Sequence, residues 1–520
     1  MEILNTILEI INLLIMVTAI CLSTIGFMHM FQLNSYQIKS HFYRIRQNPT
    51  QLLPNVIFPV ISIPALLVSL NMAYINTNWI FLIAAFVNRP KKAKKPLVYT
   101  PRVKRQLAVC AVADAVIIIL SYILWGHMGK VISMVSLYLL SPVMIIISAL
   151  ICKPIEKNIS NGFIKDAKNI LASKKDMKII GVTGSYGKTS VKYYLNTLLK
   201  AKYNVLMTPG SFNTPMGVVR TIREHLRATH EIFVCEMGAR HVGDIKEICD
   251  IVYPHDGIIT SIGPQHLETF YTLDNIKKTK FELADSLSDK GLLFLNMDDE
   301  NVASCAKGKK YIGYGINNKE GYYAENISVS ERGTNFTAVS PSGEKCEYNT
   351  KLIGMHNVLN IVGAIAVANT YGIPMENLRS QVRKLECVPH RLELKDHGNV
   401  AIIDDAYNSN PSGAKAALEV FGVFDGFRIL VTPGMVELGE KQDECNHEFG
   451  SNASKVSDYV ILVGKKQTES IYKGLTDSGY PTEKIYVAAT IEEAISKAYA
   501  INSQGKKKFI LLENDLPDNY

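Results

Sequence analysis

Hydrophobic and polar positions follow different periods in the two halves of this chain. Up to about residue 152, long apolar runs are broken only by short polar segments: Ile3–Phe31, with Glu9 its one charge; Pro54–Val87, interrupted at Asn71 and at Asn76-Thr77-Asn78; Leu107–Trp125; and Val131–Ile151. Gly126-His127-Met128-Gly129 separates the last two. A bilayer is crossed by about 17–25 apolar helical residues, so these runs predict membrane spans. The first run is too long for a signal-peptide core and lacks a basic leader and a small-residue cleavage site, so it reads as a retained span. From Lys178 onward, short β-branched runs alternate with amphipathic stretches, which predicts a parallel sheet flanked by helices. One series is Ile179–Thr183, Ile232–Glu236, Gly257–Ile262 and Gly291–Asn296. A second is Val400–Asp404, Arg428–Thr432, Tyr459–Val463, Lys484–Val487 and Lys508–Leu512. The implied organisation is a transmembrane region of four to five spans over 1–152, a linker over 153–177, a central α/β domain over 178–386 and a second over 387–520, with the junction near Cys387-Val388-Pro389.

Charge orients the spans. Lys39, Arg44 and Arg46 follow the first run, and Arg89, Lys91, Lys92, Lys94, Lys95, Arg102, Lys104 and Arg105 precede the Leu107 run. Basic loops stay in the cytoplasm, which places the N-terminus outside and everything after Ile151 inside, led by Lys153 and Lys157. Pro54–Val87 is then either a hairpin of two short spans or a re-entrant segment. The alternative, core helices of a soluble domain, must hide four apolar runs with basic flanks in one small domain. The Arg89–Arg105 stretch reads as a topology determinant, or as a surface for anionic headgroups or a phosphorylated lipid.

Much of the net charge of +8 lies in that stretch, so there is no nucleic-acid stripe on a folded face. None of the nine cysteines forms a CxxC pair, which argues against a disulfide framework or a zinc site and fits a reducing compartment.

The chemistry concentrates after the first predicted strand. Gly184-Ser185-Tyr186-Gly187-Lys188-Thr189-Ser190 lies between Ile179–Thr183 and a predicted helix from Val191 to Lys200. A strand, a glycine-containing loop, Gly-Lys-Thr and a helix form a cradle for a nucleoside triphosphate. Backbone N–H groups face the phosphates, Lys188 neutralises the β/γ oxygens and the Thr189 hydroxyl reaches Mg²⁺. The longer phosphate-loop pattern has glycine where Val182 stands. Glu236 ends a strand, where a carboxylate suits Mg²⁺. His266, alone, reads more readily as a structural residue than as a ligand, and Lys277, Lys278 and Lys280 alone read as a solvated helix face.

The segment Thr183–Lys192 resembles the shortened phosphate loop of the Mur ligase superfamily, nearest the branch that adds D-alanyl-D-alanine. Further matches follow in that family's order: Asn213-Thr214-Pro215-Met216-Gly217, Glu236-Met237-Gly238-Ala239-Arg240, His266-Leu267-Glu268-Thr269-Phe270, Lys280-Phe281-Glu282, Gly354–Asn360, His390-Arg391-Leu392-Glu393, Asp404–Pro411 and Met435–Glu440. Together they cover Lys178 to the C-terminus. The resemblance implies a central P-loop ATPase domain and a C-terminal Rossmann-like domain behind the transmembrane helices. It implies ATP held by Gly184, Ser185, Gly187, Lys188, Thr189, Ser190, Asn357 (at the adenine), Arg391 and Asp405. It implies two Mg²⁺ sites drawing on Thr189, Glu236 and His266, and a carbamylated Lys280 near the γ-phosphate. Lys188, Lys280, His266 and Glu236 would be the catalytic set; Asn213, Thr214, Tyr407, Asn408 and Asn410 would face the substrates. The implied reaction is ATP-dependent amide formation through an acyl phosphate, on a carboxylate-bearing wall precursor (lipid-linked or UDP-linked) and an amino acid or dipeptide amine.

Two departures stand out. Membrane spans occupy the place of the family's UDP-binding domain, which favours a donor in the bilayer plane and membrane lipid as a partner. Thr432-Pro433-Gly434 stands where that branch carries Gly-Asp. The polar end beginning Glu513-Asn514 has no role legible in sequence. The rival readings are a poly-γ-glutamate-type ligase, an ATPase-driven transport protein and a non-catalytic nucleotide-binding scaffold. Spans with only Glu9 and Asp114 as acids disfavour transport.

Overall fold

A computed structural model describes residues 2–34, 36–47, 52–68, 80–84, 86–87, 96–406, 409–436 and 438–514. The chain divides into two compact units, 1–162 with 517–520, and 163–516.

The first unit is helical: Glu2–Leu33, Ile38–Gln47, Leu53–Val68, Pro101–Leu139 and the start of Ser141–Ala172. Two described helices are long and apolar enough to cross a membrane, Leu13–Leu33 and Pro101–Leu139. The apolar window of the second is only 6% buried, so Val112, Ile119, Leu120, Ile123, Leu124 and Trp125 form an exposed apolar band. Asn55 ties three helices, its Nδ2 donating to Ser23 Oγ at 2.8 Å and to the Tyr138 carbonyl at 2.7 Å. The expected Gly126–Gly129 break is present as a kink between two helical segments of Pro101–Leu139, with Gly126 at φ 61°, ψ −146°. The Val131–Ile151 run is not one helix. It breaks at Leu140 because Pro142, without an N–H, suits the first turn of a new helix and not the interior of an old one. The centre of the Pro54–Val87 stretch and the Arg89–Lys95 run lie outside the described residues.

The expected linker over 153–177 is mostly helix: Ser141–Ala172 runs on through Pro154, leaving only Ser173–Met177 as a connector. The reason is amphipathicity. Ala167 is fully buried, and Ile164, Ile170 and Leu171 pack beside it on the core of the second unit.

That unit holds two sheets. The first contains β1 (Lys178–Thr183), β2 (Val205–Met207), β3 (Ile232–Glu236), β4 (Asp256–Ile259), β5 (Leu293–Asn296), β6 (Ile312–Gly315), β7 (Tyr322–Ser330), β8 (Gly333–Val339) and β9 (Lys345–Thr350), ordered β2-β3-β1-β4-β5-β6-β7-β8-β9. Strands β2 to β7 and β1 pair in parallel; β7, β8 and β9 form an antiparallel meander. Both faces of β1 are covered, so its residues are buried in alternation. Ile180 and Val182 face the helices Lys188–Leu199 and Met355–Thr370, while Ile179 joins Phe233 under Pro215–His225 and Asp244–Val252. The second sheet contains β10 (Glu393–Asp396), β11 (Val400–Asp405), β12 (Phe427–Thr432), β13 (Tyr459–Val463), β14 (Ile485–Ala488) and β15 (Lys508–Glu513), ordered β10-β11-β15-β12-β13-β14. It is parallel except at β10. The expected junction near Cys387 falls between the helix ending at Arg383 and β10.

Candidate active site

The site forms at the carboxyl ends of β1 and β3, where open parallel sheets place their ligands. Gly184 follows β1 with φ 151°, and a Cβ there would lie 2.1 Å from Thr260 Oγ1, so the loop closes only around glycine. Gly187, at φ 77°, precedes the Lys188–Leu199 helix, and its Cβ position lies 2.7 Å from Asn360 Oδ1. Ser185 donates to the Gly263 carbonyl at 3.0 Å and accepts from its N–H at 3.1 Å; Tyr186 donates to the Pro264 carbonyl at 2.7 Å. The Ser185 hydroxyl thus clamps the phosphate loop to the segment before His266. Ser190 lies in the first turn of the helix, beside Thr189.

The Lys188 ammonium folds back onto the carbonyls of Gly184 (2.6 Å) and Ser185 (3.0 Å). Burial pushes it down to about 8, against the attraction of Glu236 and with the repulsion of Arg391. Glu236 Oε1 accepts from Thr189 Oγ1 at 3.1 Å and from Asn213 Nδ2 at 3.0 Å. Its Oε2 lies 2.9 Å from the Lys192 ammonium, an ion pair with side-chain exposures of 2% and 0%. Lys192 also donates to the Gly210 carbonyl at 2.6 Å. Burial alone would raise Glu236; Lys192, Lys188 and the Asn213 donor outweigh it and hold the carboxyl below its ordinary range.

The donor set fits Mg²⁺. A buried carboxylate and a hydroxyl meet at 3.1 Å beside the phosphate loop, and both are oxygen donors of the kind Mg²⁺ takes. Lys280, on the Leu273–Asp285 helix, is 1% exposed. Burial and the Lys188 charge push its amine far below its ordinary range, against Asp244, Glu282 and Glu236. The solvated face expected for lysines in this helix is therefore wrong for Lys280. His266 is half-buried with φ 51°, ψ 40°, a left-handed conformation that a non-glycine residue adopts at a cost of about 1–3 kcal/mol. The Glu268 side chain is outside the described residues.

The second sheet contributes from its own carboxyl edge. Arg391 acts electrostatically on both Lys188 and Asp405. Burial raises Asp405 to about 6, against Arg391 and the Leu392 N–H, 3.2 Å from Oδ1. His390, Glu393 and Asp404 also converge, but the Lys395 ammonium already sits 2.6 Å from Asp404, so the cluster is internally neutralised.

Other expected residues are committed to structure. Thr214 caps the Pro215–His225 helix, accepting from Gly217 N, and Asn410 caps Pro411–Phe421, accepting from Gly413 N at 2.8 Å. Asn357 accepts from the Tyr194 hydroxyl at 2.7 Å and donates to the Ile353 carbonyl at 3.0 Å. Tyr407, Asn408 and Glu437 lie outside the described residues. Sequence reasoning missed the Lys192 pairing, although Lys188 and Lys192 share a helix face at i,i+4. It also missed Glu513, which is fully buried at the end of β15 and raised to about 8 by burial and Asp405. Ser409 and Thr432 donate to its two oxygens.

Fold and site thus define a phosphate-loop enzyme of two α/β domains that handles a nucleoside triphosphate and a divalent cation. Residues 182–368 match the Mur ligase middle domain and 390–512 the Mur ligase glutamate ligase domain. The chain is 29% identical over 330 residues to the UDP-N-acetylmuramoyl-tripeptide–D-alanyl-D-alanine ligase of Escherichia coli, covering 61% of this chain and 73% of that one. The Bacillus subtilis enzyme of the same name is 32% identical over 292 residues, covering 55% and 63%. Among solved structures, MurF from Acinetobacter baumannii aligns with TM-score 0.63 at 25% identity, over 69% of this chain and 78% of that one. MurF from Thermotoga maritima, in complex with ADP, aligns with TM-score 0.61 at 26% identity, over 68% and 80%. The chain belongs to the Mur ligases, ATP-dependent enzymes that form amide bonds.

Proposed function

We propose that this chain activates a carboxylate of a cell-wall precursor with ATP and joins it to the amine of an amino acid or dipeptide, in the manner of the D-alanyl-D-alanine-adding branch, at the cytoplasmic face of the plasma membrane. The observation that carries this reading is the convergence of Lys188, Thr189 and Glu236 on one loop, with the buried Lys280 amine within electrostatic reach of Lys188 and Glu236. Lys188 exchanges its two loop carbonyls for the β/γ-phosphate oxygens. The substrate carboxylate attacks the γ-phosphorus, the bond to the β-bridging oxygen breaks, and ADP leaves with that electron pair. Thr189 and Glu236 would hold Mg²⁺, which would supply charge neutralisation for the transferring phosphoryl group. Arg391 and Asp405 bring the second domain to the nucleotide, and closure delivers the amine to the acyl phosphate. Amide, ADP and phosphate are the products.

Lys280 is the proposed carbamate. Its uncharged amine adds to CO₂, forming an N–C bond and releasing one proton, and the new carboxylate would, with His266, be available to a second Mg²⁺. The buried site, with Lys188 beside it, then holds an anion where it held an amine.

The exposed apolar band of the Pro101–Leu139 helix supports a membrane location and a lipid-linked or membrane-proximal donor over a soluble UDP-linked peptide. The test is phosphate release by detergent-purified full-length protein offered UDP-linked and lipid-linked muramyl peptides with D-alanyl-D-alanine. Amine-dependent release that vanishes in Lys188→Ala supports the ligase. Use of the UDP-linked form alone refutes the membrane donor.

A further inference from the structure

Several buried polar groups of the helical unit are satisfied internally. Asn55 has two acceptors, and Arg105 pairs with Glu156 through contacts of 2.8 and 3.0 Å. Among the described residues, others are not. Gln106 is fully buried, and among the described residues neither its Oε1 nor its Nε2 has a partner. Asn34, 8% exposed, has an unpartnered Nδ2, and the buried Nε of Arg102 has none.

These groups belong to one neighbourhood. Arg102 and Gln106 are one turn apart on the same helix. The Arg102 guanidinium lies 3.9 Å from the Tyr36 ring centroid, two residues past Asn34. Gln32 staples the turn to the helix start, donating to the Val98 carbonyl and accepting from Val98 N, both at 2.9 Å. Phe31 packs edge-on against Tyr36 and His41, closing the apolar side. Asp114 Oδ1, also unpartnered, lies more than two turns further along the helix and outside this group.

Each buried polar atom left without a partner costs about 1–3 kcal/mol, and inside a bilayer bulk water does not relieve that cost. Three N–H donors and one acceptor thus lie in the same part of the fold. The Arg102 charge and the N-terminus of the Pro101–Leu139 helix, capped by Thr100, make the place electropositive. An anion with several acceptor oxygens meets those demands.

We propose that Asn34, Arg102 and Gln106 form a binding site for the phosphate group of a membrane lipid, at the level where the Pro101–Leu139 helix enters the bilayer. This rests on the membrane reading of the helical unit. It gives the ligase a lipid contact built from side chains separate from the phosphate loop.

The test uses full-length protein, delipidated in detergent, with thermal unfolding followed upon addition of micelles containing phosphatidic acid, micelles containing phosphatidylcholine alone, or inorganic phosphate. Wild type is expected to gain several degrees with phosphatidic acid and little with the other two. Gln106→Leu, which removes the unpartnered amide at similar volume, is expected to match or exceed wild-type stability without lipid and to lose the phosphatidic acid response. Arg102→Gln is the second variant, expected to weaken that response without unfolding the protein. An undiminished response in both variants overturns the site. A response to inorganic phosphate equal to that with phosphatidic acid overturns the lipid assignment. Release of wild-type protein from phosphatidic acid vesicles by alkaline carbonate overturns the membrane reading as well, which separates the two failures.

Discussion

The Lys192–Glu236 pair offers the sharpest quantitative test of the site. Both side chains are essentially out of solvent and 2.9 Å apart. Lys192→Met keeps the stem and removes the charge, leaving the carboxylate with only the Thr189 and Asn213 donors. Removing one partner of a buried ion pair costs about 3–5 kcal/mol, whereas removing both is often close to neutral. At about 2–4 °C per kcal/mol for a large domain, the single variant should unfold roughly 6–20 °C early. Lys192→Met/Glu236→Gln should recover most of that loss. Calorimetry of the full-length protein in detergent is the suitable assay, because both tryptophans, Trp79 and Trp125, precede the ligase domains in sequence and do not report on them. The pH dependence follows the same logic. Glu236 is held below its ordinary range, so its contribution is present above the unfolded carboxylate value and is lost as pH falls through the folded one. Without Lys192 that acid-side loss should move to higher pH. A Lys192→Met protein that unfolds within a degree of wild type, with a double-mutant coupling below about 0.5 kcal/mol, would show that the pair is energetically idle.

Lys188, depressed to about 8, should regain a proton when polyphosphate binds, so calorimetric titrations in buffers of different ionisation enthalpy should show ATP-linked proton uptake near pH 9 and almost none at pH 6.5. Glu513, raised to about 8, keeps its proton in the fold while the unfolded chain loses it. Its stabilising contribution is therefore complete below the unfolded carboxylate value and declines as pH rises to about 8, and Glu513→Gln should flatten that decline in the unfolding temperature. Asn410→Ala and Thr214→Ala remove helix caps and should each lose about 0.5–2 kcal/mol of stability, with Michaelis constants nearly unchanged; a large change in substrate affinity with normal stability would reverse that assignment. Lys280→Ala should abolish turnover, and bicarbonate should raise wild-type activity after CO₂ depletion; normal activity in the variant would exclude the carbamate.

What the sequence made legible were features with a local signature. The phosphate loop was readable because Gly184 and Gly187 adopt backbone conformations that glycine favours, directly between a strand and a helix. The nine strands expected from β-branched runs all formed, since buried parallel strands are nearly continuous apolar segments. The β8–β9 meander escaped notice because its strands alternate polar and buried positions, as in Lys345–Thr350, where only Cys346, Tyr348 and Thr350 face inward. The helix over 153–172 was mistaken for a linker because its charges mask a sparse apolar stripe that acquires meaning only against the second unit's core. Lys280 looked solvated for the converse reason: helical spacing shows which residues share a face, and burial of that face is decided by strands far away in the chain.

The C-terminal departure from the family pattern shows the same dependence on distant partners. Thr432-Pro433-Gly434 replaces a Gly-Asp pair, and in sequence this resembles the loss of a contact. In the fold the Thr432 hydroxyl accepts from Gly434 N at 3.0 Å and approaches Glu513 Oε2 at 3.4 Å. Asn514 Nδ2 donates to the Gly434 carbonyl at 2.6 Å, and Asn514 Oδ1 accepts from Ser409 N at 3.0 Å. The turn after β12, the loop after β11 and the end of β15 are therefore one hydrogen-bonded unit behind Asp405. A protonated Glu513 adds no charge beside Asp405. The turn after β12 and the end of β15 thus support each other, so a Gly-Asp pair in place of Thr432-Pro433-Gly434 would bring a further carboxylate near Glu513 and Asp405 and destabilise this loop.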